Sequence, residues 1–335
     1  MSLNQSEKGH PMLETDQQQP IQPQPKPLLT VEQQIAHMKS KGITFDLCTE
    51  ADAAAYLRDA NNYLRAASYR KLYPRRVGGE RDGQYIGLDF EALRRLSSAD
   101  RVLRSALREV CIDVEHFARV RLLARTVSEG EDGYAVIEGY LADLRSRDRS
   151  RVTGSLGWRA AAGDAHDEYA GDLIARYRDQ GYPLWVFLEA VEFGRFKDLW
   201  LYCAKRWGDQ KMLIEHYTLK SVAALRNAAC HNRCIINGLS SREPATAYET
   251  PSTVLASMNE RGMGNSRTRR KKMSNPRVSQ IASALYLSSE LCERDSTRER
   301  HAEAMASATD ALDETRPFCP ADGSLASYFD FIETA

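Results

Sequence analysis

Apolar residues in this chain recur every three or four positions and almost never every two. Leu103, Leu107, Val110, Val114 and Phe117 step along one side of a helix, and Leu184, Phe187, Leu188 and Val191 do the same. The nearest approach to strand-like alternation is Tyr85 to Phe90, too short to seed a sheet. The spacing therefore predicts an all-α fold. A length of 335 residues with 42% apolar side chains allows a sizeable core. The 46 Lys and Arg residues balance 46 Asp and Glu, which excludes a globally basic nucleic-acid coat and an acidic solvating chain.

Start and stop signals divide the chain. Residues 1–27 hold Gln17-Gln18-Gln19-Pro20 and Pro23-Gln24-Pro25, a composition that predicts a disordered tail. Thr30 with Gln33, and Thr49 with Asp52, read as helix caps, the second helix continuing toward Tyr69. Gly78 to Gly83 marks a loop. A short helix is expected from Phe90, then a longer one capped by Ser97 and Asp100 that runs to about Leu123. Residues 145–168 read as a long exposed connection. Pro183 opens a helix that Phe193-Gly194 closes, and the last long helix of the core is expected from Thr218 to Asn237, stopped by Gly238. Beyond a helical domain over 28–240 come a basic polar linker, 241–277, and a C-terminal helical extension, 278–335, with helices at Val278–Leu291 and Ala302–Leu312. No apolar stretch approaches the roughly 20 residues of a membrane span. The N-terminus has no apolar core of a signal peptide, so the chain reads as cytoplasmic with no membrane partner.

Seven cysteines without a CxxC pair read as reduced thiols. Cys230, His231 and Cys234 look at first like a ligand cluster, because Cys230 and Cys234 would share a helix face, but a second ligand pair is missing and no metal is assigned. The chemically informative run is Arg226-Asn227-Ala228-Ala229-Cys230-His231. On a continuous helix His231 would lie roughly 40° around the axis from Asn227 and roughly 140° from Arg226. Asn227 is then placed to orient His231. An imidazole moves protons near neutral pH and a guanidinium neutralises a developing phosphate charge, a pairing suited to phosphodiester cleavage without metal or cofactor. Cleavage by internal transesterification uses two acid/base groups, so a second protomer is expected to complete the site as a homodimer.

These residues also carry a resemblance. Arg226 to His231 is similar to the R-x4-6-H motif of the HEPN superfamily of all-helical ribonucleases. The chain more narrowly resembles the Abi-like (AbiD/AbiF-type abortive infection) proteins, so a HEPN-like helical bundle is expected. The islands run in order: Lys41-Gly42-Ile43-Thr44-Phe45 with Ala55-Tyr56-Leu57; Asn62-Tyr63-Leu64-Arg65 with Ser68-Tyr69; Asp100-Arg101 with Leu103-Arg104; Glu115 with Arg119; Pro183-Leu184-Trp185, Glu189 and Phe193-Gly194; and Arg226-Asn227 with His231-Asn232-Arg233. The likeness spans about residues 28–240, departing from the pattern at Asn62, at Ala66-Ala67 and in the 145–168 insertion.

The resemblance implies a metal-independent endoribonuclease in anti-phage defence, in which 2′-OH attack leaves a cyclic phosphate. His231 would be the acid/base, Arg226 the phosphate stabiliser, and a phage-derived component the trigger. Supporting positions fall at Asp100, Arg104, Glu115 and Arg119. Each acid lies four residues before its Arg, the spacing of an ordinary helix-stabilising pair. RNA contacts are expected from Arg233 and from Arg269, Arg270, Lys271 and Lys272, part of six basic residues among the eleven of 267–277. Two classes stay open: an RNA-cleaving enzyme, and a module that binds RNA or a partner protein without cleaving.

Overall fold

The apolar steps from Leu93 to Leu122 build one helix. A computed structural model of the chain describes residues 27–159, 167–240 and 249–334. The Gln/Pro tail expected over 1–27 thus lies almost wholly outside the described residues. Helices α1 (Val31–Ser40), α2 (Glu50–Ala55) and α3 (Tyr63–Ala66) lead to the 39-residue α4 (Phe90–Ser128). Then follow α5 (Gly133–Asp143), α6 (Ser146–Arg159), α7 (Gly171–Tyr177), α8 (Leu184–Ala190), α9 (Phe193–Arg206) and α10 (Gln210–Cys230). The chain closes with α11 (Ser252–Glu260), α12 (Arg267–Met273), α13 (Pro276–Leu291), α14 (Asp295–Asp313) and α15 (Ser324–Thr334). The fold is all-α; among the described residues extended pairing is limited to two isolated bridges, Thr44 with Asp89 and Arg75 with Tyr85.

The axis of the molecule is α4, about 58 Å long at 1.5 Å per residue. Helices α10, α13 and α14 pack along it, and α9 packs on α10. Leu93, Leu96, Leu103, Leu107, Val110, Val114 and Leu122 are all fully buried on α4, which accounts for its length without a Gly or Pro interruption. The expected start at Ser97 and Asp100 is corrected to Asp89. Its Oδ1 accepts from Glu91 N at 2.8 Å, while Oδ2 accepts from Thr44 Oγ1 and Asp46 N, each at 2.8 Å. One side chain thus caps α4 and fixes the 44–46 segment to it.

Other expectations hold or shift for local reasons. Thr30 and Gln33 form the full capping box, and Thr49 caps α2. That second helix gives way to a π turn at Tyr56–Ala60 and resumes as α3. The connection expected over 145–168 contains α6, on which Val152 and Leu156 are buried. Phe193-Gly194 begins α9 rather than ending α8, because the chain is extended at Val191 and Glu192. The segment expected as a linker holds α11 and α12, with Ser266 capping the latter. The C-terminal helices rest directly on α4: Arg300 reaches Glu109 at 2.6 Å and Asp113 at 2.5 Å. His301 Nε2 lies 2.9 Å from Asp113 Oδ2, and His301 Nδ1 2.8 Å from Ser288 Oγ, so three helices meet at one buried ring. No helix among the described residues is long and apolar enough to cross a membrane.

Gly42 turns the chain out of α1 at φ +78°, where an added Cβ would lie 2.9 Å from Gln84 Cβ and 3.2 Å from Tyr85 O. Gly42→Ala is expected to lower stability by more than about 1 kcal/mol, since both the backbone conformation and the packing oppose a side chain. The check is the shift in the urea midpoint at unchanged slope.

Candidate functional site

Helix α10 begins at Asp209, whose side chain accepts from Met212 N at 3.0 Å, and runs antiparallel to α4. It ends at Cys230, seven residues short of the expected Asn237. The cause is Asn232, the one described non-glycine residue with positive φ, at +54°. In that left-handed conformation Arg233 N donates to Ala228 O at 2.8 Å and Asn232 N to Ala229 O at 3.1 Å, which closes the helix. His231 is therefore the residue that ends the helix rather than one inside it, and Cys230 and Cys234 share no helix face. The imidazole is exposed at this end, beside exposed Cys230 and Arg233.

Arg226 lies one turn back. Its Nε is 3.3 Å from Glu115 Oε2 on α4, a charge contact without hydrogen-bond alignment, and its Nη1 donates to Asn227 Oδ1 at 3.2 Å. The Asn227 side chain is thereby engaged with Arg226, not with the His231 ring. Glu115 also accepts from Arg119 Nη2 at 2.6 Å. Arg119 in turn donates to Leu188 O and, at 2.9 Å, to Val191 O, the free carbonyls at the end of α8, and lies over the Phe196 ring. One carboxylate thus holds two guanidiniums, and the Arg226 side chain keeps 33% of its surface exposed. On α4, Ile112 and His116, three residues before and one after Glu115, are also exposed.

Asp100 and Arg104 are elsewhere. Fifteen residues of helix separate Asp100 from Glu115, about 22 Å along the axis. Asp100 is fully buried. Its Oδ1 accepts from Ile235 N at 2.8 Å and Ile236 N at 2.7 Å, and its Oδ2 from Tyr69 Oη at 3.0 Å and from Arg104 Nη1. It is not a helix cap. Burial pushes the Asp100 carboxyl above the ordinary carboxylate range, while Arg104 and the two amides pull it back. Every one of its partners donates, so the arrangement is built for the ionised form. Burial, and the neighbouring Asp100 charge, raise the Tyr69 hydroxyl as well, which keeps it a donor.

The residues expected to contact RNA divide. Arg233 is exposed near His231, and Arg270 and Lys271 are exposed on α12, Arg270 donating to Asn265 O at 3.0 Å. Arg269 and Lys272 point inward: Arg269 Nη1 donates to Asn259 Oδ1 at 2.6 Å, and the Lys272 ammonium lies 3.6 Å from the Tyr328 ring centroid. Forming a helix turned two of the four cations into the core. Among the described residues no group of three His, Cys, Asp or Glu side chains is placed to hold a metal ion. Cys234 lies 3.0 Å from Ser68 Oγ.

Sequence reasoning missed the groups that position the site. The amides of Ile235 and Ile236 and the carbonyls of Leu188 and Val191 are backbone atoms with no signature in residue type. Tyr69, by contrast, stood in the resemblance and was not given a role.

Asp100→Ala leaves Arg104 without its counter-charge and two amides without an acceptor. The expected loss is about 3–5 kcal/mol, the usual cost of removing one partner of a buried pair. It should read out as a lowered denaturation midpoint. Hydrogen exchange at Ile235 and Ile236 should rise more than at the centre of α4, and uniform exchange across both segments would contradict the anchoring role.

A family model described as Abi-like protein matches residues 55–237, more than half of the chain. No curated protein and no solved structure matches it.

Proposed function

This chain belongs to the Abi-like protein family, whose role is abortive-infection defence, and on that premise we propose that it is a metal-independent endoribonuclease. In this reading His231 is the acid/base at the 2′-hydroxyl or the leaving oxygen, and Arg226 stabilises the charge that develops on the phosphate. A second copy of the chain supplies the other acid/base group, and a phage-derived component releases the activity.

The observation that carries the reading is the exposed imidazole at the end of α10 with a partly exposed guanidinium one turn behind it. Glu115 holds that guanidinium in place without an aligned hydrogen bond, so Arg226 can swing toward a phosphate at little cost. Arg233, beside His231, adds a cation for the backbone of a bound strand.

One observation favours the second reading, a module that binds RNA or a protein without cutting. Asn227 is engaged with Arg226, which leaves the His231 ring without the orienting partner that general acid/base chemistry benefits from.

Total bacterial RNA incubated in EDTA with wild type and with the Arg226→Ala/His231→Ala variant separates the two. Cleavage by wild type that leaves 2′,3′-cyclic phosphate ends is the expected result. His231→Ala alone should cut at least about 100-fold more slowly, the low end of what a positioned acid/base group contributes. Equal RNA profiles for wild type and double variant, with a phage lysate added to supply the trigger, would leave the binding module.

A further inference from the structure

Far from α10 in sequence, and outside the residues matched by the family, helix α12 faces α15 across a cavity of about 460 Å3. Arg267, Lys271 and Lys272 of α12 line it opposite Ser324, Ser327 and Tyr328 of α15. That volume lies in the usual range of small-ligand sites.

Two features mark it as more than a crevice. Lys272 is 9% exposed, yet its ammonium has only the face of the Tyr328 ring against it and no hydrogen-bond acceptor or carboxylate in contact among the described residues. An ammonium carries three donors, and those of Lys272 are left to whatever enters the cavity. Burial pushes it down to about 8. Arg267 and Lys271 likewise have no ion pair among the described residues. The acid whose charge reaches Lys272, Asp330, is already engaged with Arg316 at 2.7 Å. Three cations and two serine hydroxyls therefore converge on one space with no anion of the protein in it.

We propose that this cavity binds a phosphate monoester, the terminal phosphate of either a free mononucleotide or a 5′-phosphorylated RNA end. A monoester carries close to two negative charges at neutral pH and three acceptor oxygens, which matches three cations flanked by hydroxyls. An internal phosphodiester offers one charge and two free oxygens, and so balances three cations less well than a monoester. The ligand also supplies what Lys272 lacks among the described residues, acceptor oxygens for its ammonium.

The test is calorimetric titration at fixed ionic strength with adenosine 5′-monophosphate, with adenosine, and with one oligoribonucleotide bearing either a 5′-phosphate or a 5′-hydroxyl. The full chain carrying Arg226→Ala/His231→Ala is used so that the oligonucleotide stays whole and the phosphate-directed groups at the end of α10 are removed. Adenosine monophosphate is expected to bind and adenosine not to. Arg267→Ala/Lys271→Ala, which alters only exposed side chains, should weaken binding about tenfold or more. Lys272→Met, whose buried position makes a folding check by circular dichroism necessary, should abolish it. Preference for the 5′-phosphorylated oligonucleotide over its 5′-hydroxyl form identifies an RNA end as a ligand; binding of the mononucleotide alone identifies the free nucleotide. Equal behaviour of adenosine and its monophosphate together with equal behaviour of the two oligonucleotides, or full binding by the Arg267→Ala/Lys271→Ala variant, overturns the proposal.

Discussion

A carboxylate removed from water has to find its hydrogen bonds within the chain, and Asp100 finds four from three separate segments. Tyr69 comes from the turn after α3, Arg104 from α4 itself, and the amides of Ile235 and Ile236 from the segment that follows α10. Moving an ion of this size into the interior costs several kcal/mol, and only a nearly complete set of donors offsets it. The segments are therefore not independently adjustable. The stretch after α10 is held at both ends, by the left-handed Asn232 where the helix closes and by Asp100 where the chain re-enters the core. His231 stands at the helix end immediately before these two restraints, which gives an exposed side chain a fixed backbone.

Glu115 repeats the logic nearer the surface. It links Arg119, which satisfies the terminal carbonyls of α8, to Arg226 on α10, so the end of one helix and the last turn of another are referred to the same point on α4. Sequence islands far apart along the chain, around Glu115, Pro183 and Arg226, meet here. Yet Asp100 and Glu115, which look alike as acid-then-arginine pairs four residues apart, do different work. Asp100 is spent on the fold, and Glu115 pairs with an Arg226 that is partly exposed to solvent.

What the sequence made legible was what local chemistry controls. The 3.6-residue apolar period specified helices, and the threonines at 30 and 49 marked helix starts, because a capping oxygen acts within three residues of itself. The rest failed where a residue acts at a distance. Ser97 and Asp100 looked like a cap, but Ser97 Oγ accepts from Asn61 Nδ2 at 3.0 Å and Asp100 serves Ile235, so α4 passes through them uninterrupted. Helix α6 has Val152 and Leu156 as its buried anchors among the described side chains, too few to show through its charged residues. The end of α10 turned on one asparagine adopting positive φ, which residue type permits without requiring. Of the candidate site, Arg226 and His231 were readable as residues, whereas the partners Glu115 and Arg119 were readable only as a helix pair.

Charge is distributed on α4 in a way that the formal net charge of zero conceals. Asp113 and Glu115 are two residues apart, hence about 160° apart around the helix, and face different neighbours. On one side Glu109 and Asp113 are neutralised by Arg300 of α14. On the other a single carboxylate, Glu115, answers Arg119 and Arg226, with Arg233 exposed beyond them. The C-terminal helices thus consume the acidic side of α4, and the His231 end keeps an excess of positive charge. A chain with no global attraction for polyanions can only attract one through such local imbalance, within about the 8–10 Å over which charge survives screening at physiological salt. On the proposed reading, a phosphate chain engaged at His231 would replace Glu115 as the partner of Arg226, and the contact between those two groups, without hydrogen-bond alignment, is what would permit the exchange.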